Sequence, residues 1–389
     1  MRWMTTLLGL AALTACAQSP NRNAAANNAH VALPERVYFV GQDLDAIRGY
    51  IDSNCCVSAD GSTAYLSLYG LRDSPDFGGL GRDLDGQIVS PEARWGAGPV
   101  GAYQSVEEFD FAHLAIGLYI AENGQPNGLQ RIADGEYDPE ILRLSELMKA
   151  VPGQVFLRIG YEFDGTWNVG QDNTENYIAA YRRIVDILRA DGVTNGVYVW
   201  QASASILDDL IEKKHEDIRL WYPGDAYVDW LALSWFSLPD AAATVADAYS
   251  AKRPLELANE VAEFARQLRR PVLIAESAPQ GYDIAREFRA NINPLLDGPS
   301  GEGAIQLSSE EVWAEWYAPL FDWMEQNDDV VHGLAYINAN WDAQPMWGPP
   351  YANGFWGDSR LQENAEIALR FNQSIADWKA NRGEQVDPS

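Results

Sequence analysis

Residues 155–168 read VFLRIGYEFDGTWN, and this stretch decides the fold because an apolar strand runs directly into a carboxylate. Its first six residues are apolar apart from Arg158, a composition typical of a strand buried on both faces of a parallel sheet. Residues 271–281, PVLIAESAPQG, have the same form and place Glu276 where the strand ends. Carboxylates avoid protein cores unless they are paired. Each glutamate therefore leaves into solvent or occupies a lined pocket, and the aromatic residues around Glu162 favour the pocket.

Strand-like segments recur eight times along the chain, and segments with helical periodicity separate them. Strands that alternate with helices predict an α/β fold, a single (β/α)8 TIM barrel whose active site lies at the carboxyl ends of the strands. Glu162 and Glu276 then end the fourth and seventh strands. The insertion at residues 70–110 is expected to form loops above that face and to shape the cleft. The predicted strands are residues 36–41, 63–69, 111–119, 155–161, 196–201, 229–236, 271–276 and 331–337, and the clearest helices are residues 138–151, 174–190, 245–269 and 310–326.

The first 33 residues are expected to lie outside the barrel. Residues 1–16, MRWMTTLLGLAALTAC, combine a basic start with a short apolar run and end in the lipobox LTAC, so they predict a lipoprotein signal peptide with lipidation at Cys16. The alternative is a soluble secretory signal that is cleaved nearby. Because Ala17 is not aspartate, the outer membrane is the expected destination of the exported lipoprotein, with its membrane face left open. Residues 17–33 predict a flexible tether, and residues 34–389 the catalytic domain.

The net charge of the chain is −28, which argues against nucleic acid or polyanionic glycans as partners. Apart from Cys16, the only cysteines are the adjacent Cys55 and Cys56, which can pair only with each other or between chains, or stay unbonded. No histidine or cysteine spacing suggests a metal site, and no cofactor is expected. His113, on the third strand, is interpreted as a core histidine in preference to a sugar ligand. We expect a monomer that touches the membrane through its N-terminal lipid alone.

Two converging glutamates can hydrolyse a glycosidic bond, since the reaction needs one carboxylic acid to protonate the leaving oxygen and one carboxylate to attack carbon or activate water. Aromatic rings near strand ends would stack on sugar faces, with core packing as the competing explanation for each tryptophan. By period two, Arg158 points the same way as Glu162, and it either pairs with a catalytic glutamate or fills the barrel. The expected substrate-binding residues are Arg158, Tyr161, Trp167, Trp200, Trp235, Asn338 and Trp341.

Four segments together resemble glycoside hydrolase family 26, a family of retaining (β/α)8 enzymes, over about residues 36–375. They are FLRIGYEFDGTWN, GVYVWQAS, PVLIAESAPQG and, above all, WYPGDAYVDWLALSWF at residues 221–236. The resemblance implies that Glu162 is the acid/base and Glu276 the nucleophile of a retaining endo-β-glycanase. The implied substrate is a neutral polysaccharide of the β-mannan or β-1,3-xylan type, or its oligosaccharides, and mixed-linkage glucan stays open.

The chain departs from this family at two positions. Tyr161 stands where the family usually has histidine before its acid/base, and Phe236 stands where a tyrosine is expected to orient the nucleophile. These changes leave open what holds Glu276. They also leave open the alternative of a non-catalytic glycan-binding envelope lipoprotein on the same barrel.

Overall fold

The computed structural model describes residues 35–89, 93–94, 96–205, 216–236, 252–290, 304–350 and 354–381. The signal peptide and tether predicted for residues 1–33, and Cys16 with them, lie outside these ranges and stay predictions. Within the described part of the chain, no helix has the length and apolar character needed to cross a bilayer.

Eight parallel strands close into a barrel in which each strand pairs with the next along the chain and the last pairs with the first. This confirms the predicted TIM barrel. All eight segments predicted as strands are barrel strands, with ends that differ by two residues or fewer. The strands are β1 (Val37–Gly41), β2 (Gly61–Ser67), β3 (His113–Tyr119), β4 (Val155–Ile159), β5 (Gly196–Ala202), β6 (Trp230–Trp235), β7 (Val272–Ser277) and β8 (Val331–Ile337).

Ten helices surround the barrel within the described ranges. The helix predicted at residues 174–190 has those bounds, whereas the one predicted at 310–326 is divided by a π-helical segment, Trp313–Tyr317. Pro319 explains the break, since proline has no backbone N–H to donate to the preceding turn. The helices are α1 (Leu44–Ser53), α2 (Gly70–Asp73), α3 (Ala102–Glu108), α4 (Gly128–Ala133), α5 (Asp138–Ala150), α6 (Thr174–Ala190), α7 (Pro254–Leu268), α8 (Ser309–Val312), α9 (Ala318–Gln326) and α10 (Ala365–Ala380).

Small and aromatic apolar side chains fill the barrel interior. Phe156 of β4 lies 5.1 Å from Phe39 and 5.2 Å from Trp230 between ring centroids, so three strands meet at this layer. Nearer the carboxyl ends, the inward-facing positions become polar. The residues of this polar layer are Tyr65, Arg158, Gln201, Ser234 and Glu276.

The cysteine pair and the insertion at residues 70–110, both named in the sequence predictions, lie outside the barrel strands. Cys55 and Cys56 form a disulfide with each other between α1 and β2. The insertion at residues 70–110 contains α2, a ribbon that pairs residues 93–94 with 99–100, and α3. Its Gly96 carbonyl accepts a hydrogen bond of 2.8 Å from Met346, in the loop that follows β8, which places the insertion beside the carboxyl end of the barrel.

Candidate active site

Glu162 lies in a tight turn just after β4. Its φ of +52° is left-handed, a conformation that costs about 1–3 kcal/mol for a non-glycine residue and persists only when its surroundings hold it. The buried Asn168 side chain donates to the carbonyls of Tyr161 (3.0 Å) and Glu162 (2.8 Å), and the Gly165 N–H donates to the latter carbonyl (2.9 Å). The turn therefore aims the Glu162 side chain at the barrel mouth, where strand periodicity no longer applies.

Two donors hold the Glu162 carboxylate. The Ser234 hydroxyl donates to Oε1 at 2.7 Å, and the Trp167 indole N–H donates to Oε2 at 2.9 Å. Burial, and after it the nearby charge of Glu276, raises the pKa of Glu162 to about 8, while the two hydrogen bonds act in the opposite direction. Glu162 therefore keeps its proton near neutral pH, as a general acid must.

A local irregularity in β7 turns Glu276 toward the same mouth. The pairing of β7 shifts between Ile274 and Glu276 against β6 and between Ile274 and Ser277 against β8, so that β7 locally has one residue more than each partner strand. Such a bulge re-aims the side chain that follows it. Glu276 is 7% exposed and pairs directly with Ser234 of β6 across the sheet.

Arg158 and Gln201 hold the Glu276 carboxylate. Arg158 Nη1 donates to Glu276 Oε1 in an ion pair and to Gln201 Oε1 at 3.0 Å. Gln201 Nε2 approaches Glu276 Oε1 at 3.3 Å. Arg158 is completely buried, so one of the two readings left open by the sequence is confirmed: the guanidinium pairs with a barrel-mouth glutamate.

Tyr161 and Tyr65 form an aromatic wall beside Arg158. Their rings are nearly perpendicular at 5.7 Å, and the guanidinium carbon lies 5.4 Å from the Tyr161 centroid and 5.0 Å from that of Tyr65. Gly117 of β3 makes room for this group, because a Cβ there would lie 2.8 Å from the Tyr65 ring and 2.9 Å from Arg158 Nη2. Burial raises the pKa of Tyr161 well above its usual value, so its phenol stays protonated.

Two predicted substrate-binding tryptophans lie elsewhere. Trp200 is fully buried, stacks on Phe163 at 4.4 Å and donates to the Trp221 carbonyl, and Trp235 packs on Trp323 of α9 at 5.5 Å. Both side chains point away from the barrel axis into the layer between strands and helices, since inward-facing Gln201 and Ser234 have the opposite parity. The prediction that they bind sugar is wrong.

Asn338 also has a structural place that contradicts its predicted role. Its side chain is fully buried, donates to Gln362 Oε1 at 2.9 Å and accepts from the Leu361 N–H at 2.8 Å. The amide ties the end of β8 to the segment before α10, and no face of it is left for a substrate.

Trp341 belongs to an aromatic cluster beyond β8. Its ring lies 5.6 Å from Trp347 and 4.8 Å from Trp356, and Phe236 lies 5.2 Å from Trp356. Trp341 itself is 2% exposed, whereas Trp347 and Trp356 are half-buried. The predicted sugar contact is therefore wrong for Trp341, and the accessible surface of the cluster belongs to Trp347, Trp356 and the half-buried Phe236. Trp167, by contrast, is 39% exposed beside Glu162.

Gln201 and Ser234 belong to the site although the sequence analysis did not select them. The signal was present, because each is a polar residue at the inward parity near the end of an otherwise apolar strand. His113 begins β3 at the opposite end of the barrel, where it is half-buried and its Nδ1 accepts from the Gln154 N–H at 3.0 Å. It is remote from the glutamates, but it is not the buried core histidine that the sequence predicts. Among the described residues, no group of histidine, cysteine, aspartate and glutamate side chains could hold a metal ion.

Comparisons with known proteins agree with this geometry. A sequence profile described as Glycosyl hydrolase family 26 matches residues 133–281. A β-1,3-xylanase from Alcaligenes sp is 30% identical over 97% of this chain and 71% of its own length, and a β-1,3-xylanase from Vibrio sp is 29% identical over 97% and 72%. The catalytic domain of a Bacillus sp. JAMB-750 endo-β-1,4-mannanase has a similar fold, with a TM-score of 0.52 at 14% identity over 89% of each chain.

The barrel, the paired carboxylates at its mouth and these relatives define the protein as a glycoside hydrolase. Within that class the chain belongs to glycoside hydrolase family 26.

Proposed function

We propose that this protein is a retaining endo-β-1,3-xylanase in which Glu162 is the acid/base and Glu276 the nucleophile. The observation that carries the proposal is the unequal environment of the two carboxyl groups: Glu162 has a pKa raised to about 8, while Glu276 accepts from the buried Arg158 cation. An acid that keeps its proton beside a carboxylate held by a cation is the pairing that this chemistry requires.

In the first step, Glu276 attacks the anomeric carbon and the glycosidic bond breaks. The proton of Glu162 passes to the departing oxygen, and a glycosyl ester forms on Glu276. In the second step, Glu162 takes a proton from water, the water oxygen bonds to the anomeric carbon and Glu276 leaves as a carboxylate. Because the charge of Glu276 raises the pKa of Glu162, ester formation lowers that pKa when Glu162 must act as a base.

The choice of β-1,3-xylan rests on the relatives that cover nearly the whole chain, which are β-1,3-xylanases. The mannanase structures support the fold alone at their low identity. A neutral polymer also suits a chain of net charge −28. The half-buried Trp347 and Trp356, and the exposed Trp167, offer ring faces on which a pyranose can stack.

Product release from β-1,3-xylan, β-mannan, β-1,4-xylan and mixed-linkage glucan tests the substrate. Glu276→Ala and Glu162→Ala should lose activity, while Glu263→Gln, on the exposed side of α7, should match the parent. NMR of the first products should show a retained β-anomer, and azide should restore turnover of an activated glycoside in both variants with opposite anomeric outcomes. Parent-like hydrolysis by either alanine variant would refute the residue assignment, and products from β-mannan alone would refute the substrate.

We further propose that the enzyme acts as a monomer anchored at the outer membrane through lipid on Cys16. The LTAC motif and Ala17 support this proposal. The alternative of a non-catalytic binding lipoprotein has no support in the site, where both carboxylates are held in one network.

A further inference from the structure

Gln201 and Ser234 connect the two glutamates through one chain of hydrogen bonds. Gln201 Nε2 donates to Ser234 Oγ at 3.0 Å, and Ser234 Oγ donates to Glu162 Oε1 at 2.7 Å. The same Gln201 nitrogen faces Glu276 Oε1 at 3.3 Å. Both connecting side chains are buried, on neighbouring strands β5 and β6. The carboxylates thus share a buried polar bridge in the barrel wall.

The direction of each hydrogen bond in this bridge follows from the donor inventory. Arg158 can only donate, so Gln201 must present its carbonyl oxygen to Arg158 and its NH2 group to Ser234 and Glu276. Ser234 Oγ therefore accepts from Gln201, and its single hydrogen points at Glu162 Oε1. With Gln201 occupying one acceptor position of Ser234 Oγ, the hydroxyl hydrogen is free to donate to Glu162 Oε1 at 2.7 Å.

This orientation distinguishes the two oxygens of Glu162. Oε1 faces the hydroxyl of Ser234, which is 5% exposed, whereas Oε2 faces Trp167, which is 39% exposed. The Trp167 N–H uses one acceptor position of Oε2 and leaves the other for a proton, on the oxygen whose hydrogen-bond donor is the more exposed of the two. A proton delivered to substrate must leave from the more accessible side of the carboxyl group.

We propose that Ser234 and Gln201 are positioning residues that hold Glu162 Oε1 toward the barrel wall and make Oε2 the oxygen that exchanges the catalytic proton. The inference rests on the proposed role of Glu162 and extends it to two side chains that act through the carboxyl groups they hold.

The electrostatics of the site agree in sign with this arrangement. The Ser234 bond lowers the pKa of Glu162 against the raising effects of burial and of Glu276. Loss of the hydroxyl should therefore raise that pKa further and move the alkaline limb of the pH profile upward. The charged and titratable groups that face Glu162 are Glu276, Asp164, Arg158, Tyr65 and Tyr161.

The test compares Ser234→Ala with the parent on β-1,3-xylan oligosaccharides and on a 2,4-dinitrophenyl β-glycoside of the same sugar. A sugar leaving group needs the proton of Glu162 to depart, whereas dinitrophenolate does not. The kcat/KM of Ser234→Ala should therefore fall roughly 10- to 100-fold on the oligosaccharide and much less on the aryl glycoside. The alkaline limb should rise by about 1 pH unit, the size expected for one lost hydrogen bond to a charged group.

Further variants separate positioning from packing. Ser234→Thr should restore the alkaline limb, and Gln201→Met should shift it in the same direction as Ser234→Ala. Ser277→Ala is the matched control, because Ser277 is equally buried on the adjacent strand but donates to the Ala335 carbonyl, outside the bridge. Its alkaline limb should match the parent.

Equal losses on both substrates with an unmoved alkaline limb in Ser234→Ala and Gln201→Met would overturn the proposal. This outcome is distinguishable from failure of the proposed acid/base role of Glu162, which would appear as full activity of Glu162→Ala on oligosaccharides. If Glu162→Ala behaves as an acid/base variant while Ser234→Ala behaves as Ser277→Ala, only the positioning role falls.

Discussion

Replacement of Arg158 by methionine tests the central contact of the site. Methionine fills a similar volume but leaves the Glu276 carboxylate, 7% exposed, without its cation. Removal of one partner from a buried ion pair destabilises a protein by about 3–5 kcal/mol, because the remaining charge stays desolvated. For a domain of roughly 350 residues, an unfolding entropy of about 2.1 cal/mol/K per residue gives about 0.7 kcal/mol per degree. The apparent Tm should therefore fall by about 4–7 °C.

Differential scanning calorimetry at pH 7 and kcat/KM on β-1,3-xylan would measure the two consequences. Activity should fall by about 100-fold or more, since a nucleophile displaced by about 1 Å loses that much. Arg158→Lys keeps the charge but cannot reach Gln201 and Glu276 with one planar group. Its Tm and kcat/KM should therefore lie between those of the parent and of the methionine variant.

The matched control is Arg183→Met, which breaks the partly exposed Arg183–Asp138 pair. Pairs of that kind contribute at most about 1 kcal/mol, or about 1 °C here. An Arg158→Met protein whose Tm and kcat/KM both match those of Arg183→Met would refute the argument that the buried guanidinium holds the nucleophile.

Three further perturbations address other parts of the molecule. Glu162→Gln should become more stable relative to the parent as the pH rises from about 5 to 8. The parent carboxyl has a raised folded pKa and binds its proton more tightly when folded, so the parent loses this stabilisation as the pH rises to that pKa. A Tm difference that is constant across this range would contradict the raised pKa. Gly117→Ala should reduce activity at least 10-fold while the chain stays folded, since the added Cβ displaces Tyr65 and Arg158. Parent-like kinetics would show that these two side chains can move to accommodate the Cβ without loss of activity. Cys16→Ser should release the protein from the membrane fraction of a lipoprotein-processing host, and unchanged partitioning after detergent-free fractionation would exclude the lipid anchor.

The sequence was sufficient for the barrel because each strand is a short, nearly continuous apolar run. Two starts were misplaced by two residues, those of β2 and β3. At β2 the missed residues, Gly61 and Ser62, carry no hydrophobic signal, yet they pair with His113 and Leu114 of β3. Hydrophobicity reports burial of side chains, whereas strand ends are also set by backbone pairing with a neighbour.

The site was only partly predictable, because its geometry depends on departures from regular structure. Strand periodicity places Glu276 on the opposite face from Leu273 and Ala275, and only the β7 bulge brings it to the barrel mouth. Glu162 depends likewise on a left-handed turn held by Asn168. The position of each glutamate at a strand end marks it as a candidate, but no sequence pattern gives the direction in which its side chain points.

The errors at Trp200 and Trp235 arise from parity. Alternation along β5 and β6 separates Gln201 from Trp200 and Ser234 from Trp235, but alternation alone does not say which set faces the barrel axis. In a barrel with helices outside, the inward-facing and the outward-facing side chains of a strand are both buried, and both can be apolar. A tryptophan at the outward parity has the helices as neighbours, so it packs where a sugar cannot reach.

The two departures from the family pattern acquire a common explanation in this network. Phe236 has no hydroxyl to offer Glu276, and its ring packs on Trp356 instead. The Glu276 carboxylate is held by Arg158 and Gln201. Tyr161 lines Arg158, while the donors to Glu162 are Ser234 and Trp167. Glu276 is thus oriented by inward-facing side chains of β4 and β5, and Glu162 by Ser234 of β6 together with the loop residue Trp167. Side chains on strands are held more rigidly than those on loops, so this arrangement can position two glutamates without the residues that the family usually uses.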